Sequence, residues 1–120
     1  MKPIACLLVA LAWDVPLARA DATKGEELYA QRCLGCHVPA AEGGGGAGPR
    51  LWKLVGRPAA SAEDYVYSPA LKAARIVWTR ERLDAYVKDP RRVVDGTTMT
   101  FKVGDAAERR HILDYLETLR

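Results

Sequence analysis

Cys33-Leu34-Gly35-Cys36-His37 is the segment of this chain whose residue types and spacing most clearly specify chemistry. C-x-x-C-H reads as a c-type haem attachment site. Cysteines at i and i+3 project from one side of a helical turn, so each thiol can add to one vinyl group of the same haem. The next residue then lies beneath the iron, where its imidazole can ligate it. Two other readings compete. A thioredoxin-like C-x-x-C opens a helix after a strand in a βαβ setting, and no such strand pattern precedes Cys33. A zinc site would need Cys33, Cys36, His37 and His111, and the adjacent Cys36 and His37 would strain a tetrahedral shell.

A second axial ligand is the next requirement of a six-coordinate iron. Met1 and Met99 are the only methionines. Met99 sits off any helical stripe, between Thr98 and Thr100, whereas a methionine on such a stripe would normally be core filling. His/Met ligation would raise the reduction potential relative to His/His. His111 is the competing ligand, but it falls on a helix beside the apolar stripe and reads as a surface or semi-buried residue.

Three helices must position these groups. Gly25, Tyr29, Cys33 and Cys36 make one stripe on a helix expected from about Thr23 to Cys36. A second is expected from Thr79, a plausible N-cap, to Asp89. It carries Leu83, Tyr86 and Val87 on its apolar face and stops at Pro90. A third runs from about Asp105 to Leu119. Asp105 with Glu108 resembles a capping box, and Ile112, Tyr115, Leu116 and Leu119 form the cleanest amphipathic stripe in the chain. The glycine-rich stretch from Glu42 to Pro49 reads as a surface loop, Pro58 to Ser61 as a turn, and Ser68 to Ala74 as one or two helical turns. Val94 to Lys102 reads as extended loop. No strand pattern is convincing, so the fold class is all-α.

The chain has 120 residues, of which 28% are charged and 49% hydrophobic, with a formal net charge of +3. That is one ordinary globular domain with no basic block of the kind nucleic acid demands. Lys2, the apolar run Ile4 to Trp13 and the small-x-small Ala18-Arg19-Ala20 have the layout of a secretory leader. Residues 1–20 are therefore expected to be a signal peptide cleaved after Ala20, leaving a domain of residues 21–120. The apolar run is too short to span a bilayer. After cleavage Cys33 and Cys36 are the only cysteines, in an oxidising compartment where a disulfide would also be permitted. The single Phe and the two isoleucines beyond the leader, Ile76 and Ile112, make a thin core that a bound apolar cofactor would complete.

Taken together, these residues resemble class I cytochrome c, the mitochondrial type and its soluble bacterial relatives. The resemblance covers nearly all of residues 23–120. Besides the attachment motif it rests on Gly25 and Tyr29, Gly48-Pro49-Arg50-Leu51, Gly56-Arg57, Tyr65-Val66-Tyr67 and Trp78. Leu83, Tyr86, Pro90, Gly96-Thr97, Met99, Phe101 and Leu113 to Leu116 with Tyr115 continue it in order. It implies a cytochrome c fold of three main helices with short helical turns and loops wrapped around one haem c. It implies His37 as proximal ligand with the Pro49 carbonyl accepting its ring N–H, and Met99 as distal ligand with the Tyr86 hydroxyl near its sulfur and Thr97 in the same network. Tyr67, Trp78 and Arg57 would bind or neutralise the haem propionates, Phe101 would shield the haem edge, and Gly25 would let the first helix approach the last, with Tyr29 on Tyr115. Leu71, Asp95, Ala60 and Asp64 depart from the family's pattern, at positions that bear on buried water and propionate bonding and not on the ligands.

The expected function is single-electron transfer in the periplasm by a soluble monomer, not an enzyme. Its partners would be transient redox proteins such as a cytochrome complex, oxidase, reaction centre or dehydrogenase, with no nucleic acid and no membrane span after cleavage. Arg32, Lys53, Lys88, Arg91, Arg92 and Lys102 would form either a weak basic face or simply a solvated surface. A haem enzyme or gas sensor with an open iron site, and a dedicated electron-transfer subunit of a dehydrogenase or oxidase, are the alternatives.

Overall fold

The computed structural model describes residues 17–42 and 46–120. Five helices follow in chain order: α1 (Leu17–Arg32), α2 (Pro69–Ala74), α3 (Arg80–Lys88), α4 (Pro90–Val93) and α5 (Ala106–Glu117). The segment expected to be a leader lies outside the described residues apart from its last four, which continue α1.

α1 ends one turn earlier than its stripe suggested. The chain tightens at Cys33, where Leu34 N–H as well as Cys33 N–H donates to the Tyr29 carbonyl, and Cys36 and His37 N–H both donate to the Cys33 carbonyl. The attachment motif is thus a run of tight turns appended to a helix. Leu28, absent from the expected stripe, is buried beside Tyr29, while Cys36 is exposed.

The caps explain the other boundaries. Thr79 Oγ1 accepts from Arg82 N–H at 3.2 Å, and Asp105 accepts from Glu108 N–H at 2.9 Å. Each satisfies a backbone donor that the first helical turn leaves open. Ser68 does the same for Leu71 at 3.1 Å, starting α2 with Pro69 at its first position. Pro90 stops α3, as expected, but it also opens α4. Its fixed φ suits a first turn, and its missing N–H has no partner to lose there.

α1 crosses α5 at Gly25, where a Cβ would lie 1.9 Å from the His111 carbonyl oxygen and 2.8 Å from Tyr115 Cβ. Only a hydrogen fits. One turn on, the Tyr29 and Tyr115 rings pack with centroids 5.2 Å apart. α3 joins α5 through Arg80, which pairs with Asp114 at 2.7 Å and Glu117 at 3.1 Å. Leu28, Leu51, Leu54, Trp78, Leu83, Val94, Ile112, Leu113 and Leu116 form the core between these helices. Residues 56–59 run beside 76–78: Gly56 N–H donates to Trp78 O, Trp78 N–H to Arg57 O and Ala59 N–H to Ile76 O. This lone antiparallel bridge is the only strand-like pairing among the described residues, and the all-α expectation holds.

Candidate haem-binding site

The surroundings of His37 are built by two short segments bonded to each other. Gly48 N–H donates to the Cys36 carbonyl at 2.8 Å, and Leu51 N–H to the Val38 carbonyl at 3.0 Å. Between them His37 Nδ1 lies 2.8 Å from the Pro49 carbonyl oxygen. A carbonyl can only accept, so Nδ1 carries the proton and Nε2 keeps its lone pair. Burial pushes the imidazole below its ordinary value, while the Pro49 bond works weakly the other way. The ring is therefore neutral at pH 7 and presents a metal-ligating nitrogen. The Tyr29 hydroxyl donates to the His37 carbonyl at 2.9 Å, tying the same residue to α1 from its backbone side.

Gly48 makes room for that ring. A Cβ there would sit 2.5 Å from His37 Cε1 and 2.8 Å from Nδ1. Gly46 has a similar constraint against the Cys36 carbonyl oxygen, at 2.5 Å. Cys33 is half-buried, and burial, with the neighbouring Cys36, pushes its thiol up to about 11. Cys33 and Cys36 form no disulfide, and their i, i+3 spacing suits the two vinyl additions of a covalent haem.

A second cluster surrounds Arg57. Its Nη1 donates to the Trp52 carbonyl at 2.7 Å and its Nη2 to the Arg50 carbonyl at 3.0 Å. Its Nε is buried with no protein partner, which is what a guanidinium facing an absent carboxylate leaves behind. The Tyr67 hydroxyl accepts from Ala62 N–H at 3.1 Å and retains its own proton to donate. Trp78 is buried against Tyr86, with centroids 4.8 Å apart. The residues present thus fit a haem: two cysteines, one imidazole nitrogen with a free lone pair, a glycine-cleared space against the ring, an orphaned buried Arg57 N–H, and a Tyr67 hydroxyl with a proton to donate.

On the other side, the Tyr86 hydroxyl and Thr97 Oγ1 are 2.6 Å apart, both in buried residues. Burial pushes the Tyr86 phenol up, against the effect of the Thr97 bond. Met99 is half-buried against the core, and Phe101 is exposed. The structure therefore joins Tyr86 to Thr97 directly.

Three of the departures acquire a setting. Asp64 pairs with Arg50 Nε at 2.9 Å, while Arg50 also donates to the Ala41 carbonyl and Tyr65 donates to the Ala47 carbonyl at 3.1 Å. These bonds strap the 61–67 loop to the segment that presents the Pro49 carbonyl. Ala60 adopts φ 58°, the left-handed conformation in which glycine is most at ease. Leu71 packs against the core. Sequence reasoning missed the Asp64 strap, the Tyr29–His37 bond and the role of Gly48. The nearest signal was Gly48 in the G-P-x-L stretch.

The expected basic face is narrower than the sequence suggested. Arg32 pairs with Glu108 at 3.3 Å and Lys102 with Asp89 at 3.4 Å. Lys53 is exposed and makes no ion pair among the described residues, while its backbone N–H bonds the Leu119 carbonyl. Lys88, Arg91 and Arg92 are exposed and make no ion pair among the described residues.

A family model described as cytochrome c matches residues 22–120. The chain is 37% identical over 105 residues to cytochrome c 2.1 of Caenorhabditis briggsae, covering 87% of this chain and 91% of that protein. It is 36% identical over 123 residues to cytochrome c2 of Rhodospirillum rubrum, covering 93% and 90%. Its identity to the cytochrome c-type cyt cy of Rhodobacter capsulatus is 42% over 108 residues, which is 88% of this chain but 53% of that protein.

Proposed function

The chain belongs to the cytochrome c family, and from that membership we propose how its own residues hold and tune the haem. It is a monohaem electron carrier whose haem c is joined covalently to Cys33 and Cys36. The haem supplies a one-electron ferrous/ferric couple. His37 Nε2 is the proximal ligand, and the bond from Nδ1 to Pro49 fixes the ring's tautomer and raises its basicity. This bond is the observation that carries the reading. The Met99 thioether is the distal ligand, on a segment fastened upstream by the Tyr86–Thr97 bond.

Arg57 Nε and the Tyr67 hydroxyl bind or offset the propionates, which would otherwise be costly to bury. Trp78 backs Tyr86 and closes the interior. Electron transfer needs no acid, base or nucleophile from the protein, and we assign it no enzymatic reaction. Lys88, Arg91, Arg92, Leu34 and Phe101 are exposed, basic and apolar groups of the kind transient redox partners dock on. The leader-like layout of residues 1–20 supports export to the periplasm, and no described helix is long and apolar enough to cross a membrane.

The test uses exported holoprotein. Met99→Ala is expected to lower the reduction potential and to let the reduced protein bind carbon monoxide rapidly, where the parent binds it poorly. An unchanged potential in the variant, or a parent that binds carbon monoxide as fast, contradicts the distal assignment. Mass spectrometry of the mature chain should find Asp21 at its start. A chain that retains residues 1–20 contradicts the periplasmic placement.

A further inference from the structure

The segment that carries Met99 is fastened at two places. Upstream, Thr97 is buried, with its hydroxyl on Tyr86 at 2.6 Å and its N–H on the Val94 carbonyl at 3.2 Å. Downstream, Val103 N–H donates to the Val87 carbonyl at 3.0 Å, and the carbonyls of Val103 and Gly104 accept from Arg109 Nη1 at 3.0 and 2.9 Å. Between them, residues 98–102 make no backbone hydrogen bond among the described residues. Lys102 reaches Asp89 across an exposed 3.4 Å contact. Apart from the packing of Met99 against the core and the exposed Lys102 contact, the segment's hold on its own position therefore comes from its two ends.

Arg109 gives the downstream end its strength. Its side chain is only 6% exposed, and its Nε donates to Asp84 Oδ1 at 2.8 Å, the Asp84 side chain being 45% exposed. One guanidinium thus joins α5, which carries it, to α3 and to the segment at 103–104. A buried guanidinium is tolerable only when its donors are matched. Its bonds to the two carbonyls are charge-assisted and aimed by the planar fork. Asp84 anchors the opposite side of that fork. With Asp84 neutral, the guanidinium loses its counter-charge and is drawn toward solvent, away from the carbonyls.

Both ends are seated in buried residues, Thr97 and Val103, while Phe101, Lys102 and Gly104 are exposed. Only the downstream end is held by an ionic side chain, so the segment can swing outward about Thr97 by undoing the Val103–Gly104 anchorage. We propose that Arg109, held by Asp84, is a positioning residue for the Met99 thioether, setting how readily the segment opens and how fast an external ligand replaces the sulfur on iron. This rests on Met99 being the distal ligand.

The experiment compares the ferric holoprotein with Asp84→Asn and Asp84→Glu. Asp84→Asn keeps the shape and one hydrogen-bond acceptor, and so tests the charge without a cavity. It is expected to speed imidazole binding to iron about tenfold, the scale of one charge-assisted bond at a partly exposed site. Amide hydrogen exchange at Val103 should accelerate in parallel, while exchange at Ile112 in the core stays unchanged. Asp84→Glu should restore most of the parent behaviour in both readouts. Parent rates of imidazole binding or of Val103 exchange in Asp84→Asn overturn the inference, and so does equal acceleration at Ile112. A parent protein lacking the absorption band of ferric iron–thioether ligation overturns the distal assignment itself, and the inference with it.

Discussion

Gly48→Ala tests the proposed proximal side most directly, because the new methyl would meet the His37 ring itself. Its Cβ would lie 2.5 Å from His37 Cε1, 2.8 Å from Nδ1 and 3.1 Å from Nε2. Ordinary carbon contact is about 3.5–4.0 Å, so roughly 1 Å must be found. The backbone cannot readily supply it, since Gly48 N–H is held at 2.8 Å on the Cys36 carbonyl. The ring must move, and a 1 Å displacement ends the 2.8 Å bond to Pro49. Overpacking costs about 1–3 kcal/mol and the lost hydrogen bond about 1 kcal/mol. The stiffer unfolded chain of the alanine variant returns about 0.4–1 kcal/mol. The net loss is about 2 kcal/mol, which for a domain of roughly 100 residues lowers Tm by about 8–16 °C. Losing the Pro49 bond also makes the imidazole a weaker donor, so the reduction potential should rise. Thermal and guanidinium unfolding followed by the haem absorbance would measure the first effect, and potentiometric titration the second. Gly35→Ala is the internal control, since a Cβ at Gly35 meets nothing within 4 Å. It should change stability by less than about 0.5 kcal/mol. A Gly48→Ala protein as stable as that control, with the parent potential, would refute the argument that the ring is wedged between Gly48 and Pro49.

Gly25→Ala places a methyl 1.9 Å from the His111 carbonyl oxygen and should destabilise the holoprotein by about 2 kcal/mol in denaturant titration, despite about 1 kcal/mol gained in helix propensity. Burial raises the Tyr86 phenol above its ordinary value, so the folded state keeps a proton that the unfolded state gives up. Its contribution is complete below the unfolded value of about 10 and is lost as pH rises through the folded one. Tyr86→Phe should therefore show a shallower fall of stability above pH 10 than the parent when denaturation midpoints are measured across that range.

The chemistry legible in the sequence was the chemistry of short spacing. Cys33, Cys36 and His37 lie within about one turn, so their relation is set by local backbone geometry, whatever packs around them. The caps at Thr79 and Asp105, the stop at Pro90 and the α5 stripe are local in the same sense, and the structure has them where the pattern predicted. The end of α1 was overrun because a stripe continuing through Cys36 does not distinguish helix from consecutive tight turns. α4 was missed because Pro90, read as a terminator, also suits a first helical position.

What the chain alone determined is the covalent haem site, the order of the three main helices and the buried faces of α3 and α5, since each follows from residue type at fixed separation. The tertiary structure decided what faces what: the Pro49 carbonyl on His37, Gly48 under that ring, Gly25 against the His111 carbonyl, Asp64 on Arg50, and Arg109 between Asp84 and the Val103–Gly104 segment. These depend on distances in space between residues that can be far apart in sequence. A glycine's need for emptiness, or an arginine's choice among many carbonyls, leaves no periodic trace in the chain. It becomes readable only once packing has brought the opposing atoms to within a few ångströms.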